Sequence, residues 1–150
     1  MTAVTLICAT AFAVWLVALL GVDIGHTLTL SWARSGESIA QTVTIEADGE
    51  TNRNLTVPGS TTDFRTNISI DVSELKALYI HSDVNITIET NATDATGGNT
   101  LTLLANKPLV WYVGCGLTNP LTNDVTDMYI TNGTGGSATV RIRTLIDETP

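Results

Sequence analysis

The chain reads as an all-β protein, an antiparallel sandwich or jelly-roll-like barrel, preceded by an apolar N-terminal segment. Three observations predict this. Beyond Asp23 the sequence is rich in Thr, Asn, Gly, Val and Ile, and long Lys/Glu/Leu helical patterns are missing. Branched side chains pack well on a pleated surface, so this composition favours strands. Short runs alternate apolar and polar residues with a period of two, the spacing of a half-buried strand. Gly, Asn and Pro punctuate the runs, as in a domain of roughly eight to ten strands joined by turns.

The first element is Ala3–Val22, which carries no charge and is about long enough to cross a bilayer as a helix. Asp23 is the first charged residue and no Lys or Arg precedes Arg34, so the basic flank of a signal peptide or membrane helix is missing. Three readings of residues 1–25 stay open: a membrane or export segment, an upstream extension that the folded domain does not need, or an arm packed against a partner. A single β domain is expected over residues 26–150.

That domain opens with His26–Arg34, where Leu28, Leu30 and Trp32 point one way and the threonines the other. Ser35–Ser38 reads as a turn. Ile39–Ala47 alternates again through Val43 and Ile45, and Asp48-Gly49-Glu50 is a tight-turn signal. Leu55–Val57 is stopped by Pro58-Gly59. Phe64–Val72 places Phe64, Thr66, Ile68 and Ile70 on one side. Val72–Leu78 either forms one helical turn, capped by Asp71 or Ser73, or leads directly into the next strand. Further runs are expected around Tyr79-Ile80, Val84–Ile88 and Leu101–Leu104, the last preceded by a polar loop containing Gly97 and Gly98. Pro108 opens the run Leu109–Val113. After the irregular stretch Gly114–Asp124 come Met128–Thr131, the loop Asn132–Gly136, and Ser137–Ile146 with a polar tail.

Two of these stretches resemble each other. Leu75–Thr90 and Val125–Thr144 each hold a Tyr-Ile pair, a polar interruption and an alternating β-branched run. The simplest expectation is two hairpins in related positions of two packed sheets.

Composition narrows the chemistry. Seven basic residues face fifteen acidic ones, for a net charge of −8, which repels nucleic acid. Arg141 and Arg143 alternate along one strand, as on a solvated face. Cys8 and Cys115 read as free thiols. The histidines are His26 and His81. His81-Ser82-Asp83 has the composition of a catalytic fragment, but neighbours on a strand point opposite ways, so adjacency builds no triad. Carboxylates at Asp48, Glu50, Asp71, Asp83, Asp94, Asp124 and Asp127 sit where turns are expected, and none matches a calcium loop. The glycine-rich loops lack the Lys-Ser/Thr and following helix of a phosphate cradle. Five Asn-x-Ser/Thr triplets, at Asn54, Asn67, Asn85, Asn91 and Asn132, arise readily in a chain so rich in Asn and Thr. Nothing selects a catalytic residue, cofactor or metal ligand.

The phrases DVSELKALYIHSD, NKPLVWY, TNPLTNDVTDMYITN and ATVRIRTLIDETP together resemble small β-rich structural proteins of tailed bacteriophages, of the head decoration (cement) or tail-associated kind. The resemblance runs from about Gly25 to Pro150. It implies a non-enzymatic virion protein that binds a major capsid or tail protein, is homo-oligomeric, uses no cofactor and makes no direct nucleic-acid contact. Contact candidates are Trp111 and Tyr112, which straddle both faces of one strand, the loops at Gly97-Gly98 and Asn132-Gly133, and the tail Asp147–Pro150. The alternative is a membrane-anchored or secreted β-sandwich, held by residues 3–22, with Trp111 or Tyr112 as a carbohydrate platform.

Overall fold

The computed structural model of the chain describes residues 24–34, 37–94 and 96–148. The apolar segment expected before the domain therefore lies outside the described residues, apart from Ile24 and Gly25. Those two already belong to the first strand, so the β structure starts slightly before His26.

Ten strands follow in order: β1 (Ile24–Arg34), β2 (Glu37–Ala47), β3 (Gly49–Val57), β4 (Thr61–Ile70), β5 (Leu75–Ser82), β6 (Ile86–Thr90), β7 (Thr100–Leu103), β8 (Leu109–Tyr112), β9 (Val125–Asn132) and β10 (Ala138–Ile146). β1 and β2 form a two-stranded ribbon; the others make two four-stranded sheets, ordered β3-β10-β5-β8 and β4-β9-β6-β7. All pairs are antiparallel. The pairs β3·β10, β4·β9, β5·β8 and β6·β7 are nested from the ends of the chain inward. This is a long antiparallel ladder wrapped into a sandwich, the jelly roll of eight strands.

Period-two alternation fills the space between the sheets. β10 buries Ala138, Val140, Ile142 and Thr144 and turns Thr139, Arg141 and Arg143 away. β6, β7 and β9 contribute Ile86, Ile88, Leu101, Leu103, Met128 and Ile130 from the facing sheet. A single turn over Val72–Glu74 follows β4, closed by the Glu74 amide on the Asp71 carbonyl at 3.3 Å and capped by the Asp71 side chain. Its carboxylate accepts the Ser73 amide at 2.9 Å and the Ser73 hydroxyl at 2.7 Å, and the chain enters β5 at Leu75.

The internal repeat is not a pair of hairpins. β5 and β6 lie in different sheets, and so do β9 and β10. Each copy is a strand, a corner that crosses the sandwich, and a second strand. The copies pair with each other, β5 with β10 and β6 with β9, at the middle of both sheets. Tyr79 sits opposite Arg143, and Tyr129 opposite Glu89. The corners are equivalent as well. Ser82 and Asn132 end the first strand of each copy, both 0% exposed. Each accepts a backbone amide two residues on, from Val84 (3.3 Å) and Thr134 (3.0 Å).

Asp48-Gly49-Glu50 also differs from a hairpin turn, because β2 and β3 do not pair. Here the chain passes from the ribbon into the sandwich, with Gly49 opposite Ile146.

Candidate interaction surfaces

His81, Ser82, Asp83, Arg143, Arg65 and Asp127 are engaged in holding the sandwich together. His81 lies beside Tyr79, the rings 6.5 Å apart and nearly parallel. Ser82 turns inward, and the Asp83 carboxylate accepts the Thr139 amide at 2.7 Å. The three consecutive residues thus serve three separate purposes. Arg143 donates to the carbonyls of Arg53 and Ile142 and to Asn54 Oδ1, each at 2.8 Å, which closes β3 onto β10. Arg65 grips Asp127 through two nitrogens, at 2.9 and 3.2 Å, and Asn67 donates to the same carboxylate at 3.0 Å. Those Arg65 hydrogen bonds hold the Asp127 carboxyl below the usual carboxylate range. Turn hydrogen bonds do the same for Asp71 (Ser73) and Asp94 (Thr96), and the distant Thr139 amide does so for Asp83.

One end of the sandwich is acidic. Desolvation, and then the charges of Asp71, Glu148, Asp48 and Asp147, raise the Glu74 carboxyl. Lys76 pairs with Asp147 at 2.7 Å. Among the described residues no group of three or more His, Cys, Asp or Glu could hold a metal ion.

The asparagines of the Asn-x-Ser/Thr triplets are architectural. Asn91 donates to the Asp124 carbonyl at 2.6 Å and accepts the Thr126 amide at 2.8 Å. Asn85 accepts the Ala105 amide at 2.7 Å. Asn132 donates to the carbonyls of Val57, Pro58 and Gly136. Glycosylation modifies the side-chain nitrogen, which at Asn67, Asn91 and Asn132 is already bound to an acceptor.

The contact candidates scatter. Trp111 is 9% exposed in the core, and its indole nitrogen donates to the Leu117 carbonyl at 3.1 Å. It is packed beneath the loop that carries Leu117, and its remaining edge lines a crevice beside Tyr79 and Val110. Tyr112, on the other face of β8, is half-buried. Asn132 is fully buried, so it is a corner residue and not a contact; its neighbour Gly133 is exposed. Gly97 and Gly98 are sites of close approach: a Cβ on Gly97 would overlap Ala92, and one on Gly98 would overlap Thr90. Asp147 is engaged with Lys76, and Pro150 lies outside the described residues. Cys115 is a free, half-buried thiol; Cys8 falls outside the described residues.

The uncovered surface lies elsewhere, on the ribbon. In its register His26 faces Ile45, Leu28 faces Val43, Leu30 faces Gln41 and Trp32 faces Ile39. Residues directly opposite share a face, so this side carries the ribbon's Leu, Ile, Val and Trp, with Arg34 opposite Glu37 at its far end. At the root Ile45 and Ala47 are buried and His26, Leu28 and Val43 half-buried. The root rests over β5, and with Tyr79, Val110, Arg143 and Leu145 it bounds a crevice of about 260 Å³. Toward the tip the cover ends: Leu30 is 42% and Ile39 67% exposed. Leu104, Val113 and Leu117 are also exposed, each on a loop. Sequence reasoning assigned Leu30 to an inward face and left Ile39 unassigned. No local signal marks the ribbon: its strands run 11 residues each, and β4 of the sandwich runs 10.

Comparison with known proteins adds little. No protein-family model matches the chain, and no curated protein matches it. A solved structure, the Schizosaccharomyces pombe Cnp3 cupin domain, aligns over 87% of this chain and 88% of its own, with 11% identity and a TM-score of 0.39. The jelly-roll assignment rests on the strand pairing instead. No helix among the described residues is long and apolar enough to cross a membrane.

Proposed function

We propose that this chain is a non-enzymatic β-sandwich binding domain that docks onto protein, and that it serves as a virion component seated on a capsid or tail lattice. The β1–β2 ribbon carries the proposal. It extends about 37 Å at roughly 3.4 Å per residue, and its apolar face is covered at one end only. A two-stranded hairpin is marginally stable by itself, so such a ribbon gains most when its open end is packed against a partner. The reactive groups of the sandwich are tied into corners and strand pairs, which suits a scaffold better than a catalyst. A net charge of −8 favours a basic protein surface over nucleic acid. The resemblance to phage decoration and tail proteins supports the virion setting. In a repeated lattice many weak contacts add through multivalency.

The test is fractionation of the native source, with intact-mass measurement of the chain in each fraction. Travel with a large protein particle is the expected result. A chain recovered only as a free species, or only in a detergent-extracted membrane fraction, removes the virion reading. The second of those results makes a membrane-held binding domain the working account.

A further inference from the structure

We infer that the crevice between the root of the β1–β2 ribbon and the outer face of the β3-β10-β5-β8 sheet is a binding site for a small carboxylate with an apolar body, such as a short-chain fatty acid or an aryl carboxylate. The site is separate from the ribbon's exposed tip, to which the docking role is assigned.

Strand alternation builds the crevice. β5 and β10 turn Leu78, Ile80, Ile142 and Thr144 into the core, so Ala77, Tyr79, Arg143 and Leu145 stand on the outer face, each half-buried. The register sets them side by side, with Tyr79 between Arg143 and Val110, and Ala77 opposite Leu145. Leu28 and Ile45 of the ribbon complete the walls. At about 260 Å³ the space lies just below the usual range of ligand pockets, ~300–1,000 Å³. It corresponds to about nine waters at ~30 Å³ each, which suits a compact ligand. Apolar walls with a few fixed polar groups, at a junction between folded units, are the usual setting of a small-molecule site.

Arg143 selects the charge of the ligand. It lines the crevice, and the ion pairs among the described residues are Arg65–Asp127 and Lys76–Asp147, so no carboxylate there neutralises it. Glu50 lines the same crevice, but its carboxylate accepts the Asn52 side-chain amide at 2.7 Å. The acceptors of Arg143 are all neutral: the carbonyls of Arg53 and Ile142, and Asn54 Oδ1. These account for both Nη1 protons and one on Nη2. A guanidinium has five N–H donors, so Nε–H and one Nη2–H are left over. The three bonds also hold the group in place, which reduces the ordering cost of capture. Charge-assisted hydrogen bonds are roughly twice as strong as neutral ones, so this group favours a carboxylate over a neutral acceptor. His26, on the ribbon wall, adds an imidazole N–H.

Amide chemical shifts of the isotope-labelled full chain, titrated with hexanoate and separately with hexanol, test this. The expected result is saturable hexanoate binding, with the largest shifts at Tyr79, Val110 and Leu145, and hexanol weaker by at least about tenfold. That comparison needs no variant. Leu145→Trp fills the crevice and should abolish both. Arg143→Gln should lower hexanoate affinity by about tenfold or more and leave hexanol binding unchanged, a sign that the variant is folded. Arg141→Gln, on the same strand but outside the crevice, should bind hexanoate as wild type does. Absence of saturable hexanoate binding to wild type overturns the inference. So does equal affinity for acid and alcohol, or hexanoate binding that survives Leu145→Trp. Equal losses in Arg141→Gln and Arg143→Gln overturn it too, because the acid then responds to general positive charge. The fractionation above reads the docking proposal separately. A chain that travels with particles and binds no hexanoate keeps the virion reading and removes this one; a chain off particles that binds hexanoate does the reverse.

Discussion

Replacing Asn132 by Ala should be among the most damaging polar-to-Ala changes in this fold. The side chain is 0% exposed at the corner between β9 and β10. Its nitrogen donates to the carbonyls of Val57 (3.3 Å), Pro58 (3.0 Å) and Gly136 (2.8 Å). Its oxygen accepts the Thr134 amide at 3.0 Å and hydroxyl at 2.7 Å. One side chain therefore ties the end of β3, the corner and the start of β10 together. An amide nitrogen has two protons, so its three acceptors amount to about two full bonds, and with the oxygen about four in all. At a net contribution of about 1 kcal/mol each, the loss is about 4 kcal/mol, more if the carbonyls stay dry. For a domain of this size that is roughly a 10 °C fall in Tm. The equivalent corner supplies the control: Ser82 accepts a single amide, from Val84 at 3.3 Å, so Ser82→Ala should cost about 1 kcal/mol or less. Urea unfolding followed by tryptophan fluorescence and by far-UV CD measures both. Equal midpoints for the two variants, or Asn132→Ala within about 1 kcal/mol of wild type, would refute the claim that this amide organises the corner.

Other expectations can be checked on the same material. Gly98→Ala should destabilise by about 1–3 kcal/mol, because its Cβ would run into the Thr90 carbonyl, whereas Gly133→Ala meets nothing within 4 Å and should be near neutral; equal urea midpoints would contradict this. Trp111→Ala should cost about 3–5 kcal/mol and leave any carbohydrate binding, tested on a glycan array, unchanged from wild type. Acid should weaken the fold through Asp71, Asp83, Asp94 and Asp127. Their folded carboxyls lie below the ordinary value, so their contribution is present above the unfolded pKa near about 4 and is lost as pH falls through the lower folded values. Asp127→Asn should flatten the acid limb of the stability profile, and an unchanged limb counts against it. Glu74 has the opposite sign: its carboxyl is raised, so its ionised form opposes folding at neutral pH. Glu74→Gln should therefore raise the urea midpoint at pH 7, with the gain fading as the pH drops below the unfolded glutamate value; a lower midpoint at pH 7 contradicts this.

The sequence by itself determined that the domain is all-β, where most of its strands run and which side of each is apolar. Alternation and turn residues are properties of a short stretch of backbone, so Val140, Ile142, Ile86 and Ile88 announce their buried face without reference to any partner. Tertiary structure alone decided the pairing. Strands built from the same Thr, Ile and Val offer the same hydrogen-bonding edges, so nothing local shows that β5 leaves β6 for β10, or that Asp48-Gly49-Glu50 separates a ribbon from a sandwich. It also decided what the polar residues do. Asn132 in an Asn-Gly-Thr loop looks exposed until Val57, Pro58 and Gly136 converge on it from distant points of the chain. Trp111 looks free to face solvent until the Leu117 loop covers it. The ribbon shows the same division. Its apolar face was legible in Leu28, Leu30 and Val43, but whether that face is covered depends on how far the sandwich reaches beneath it, and it stops short of Leu30 and Ile39.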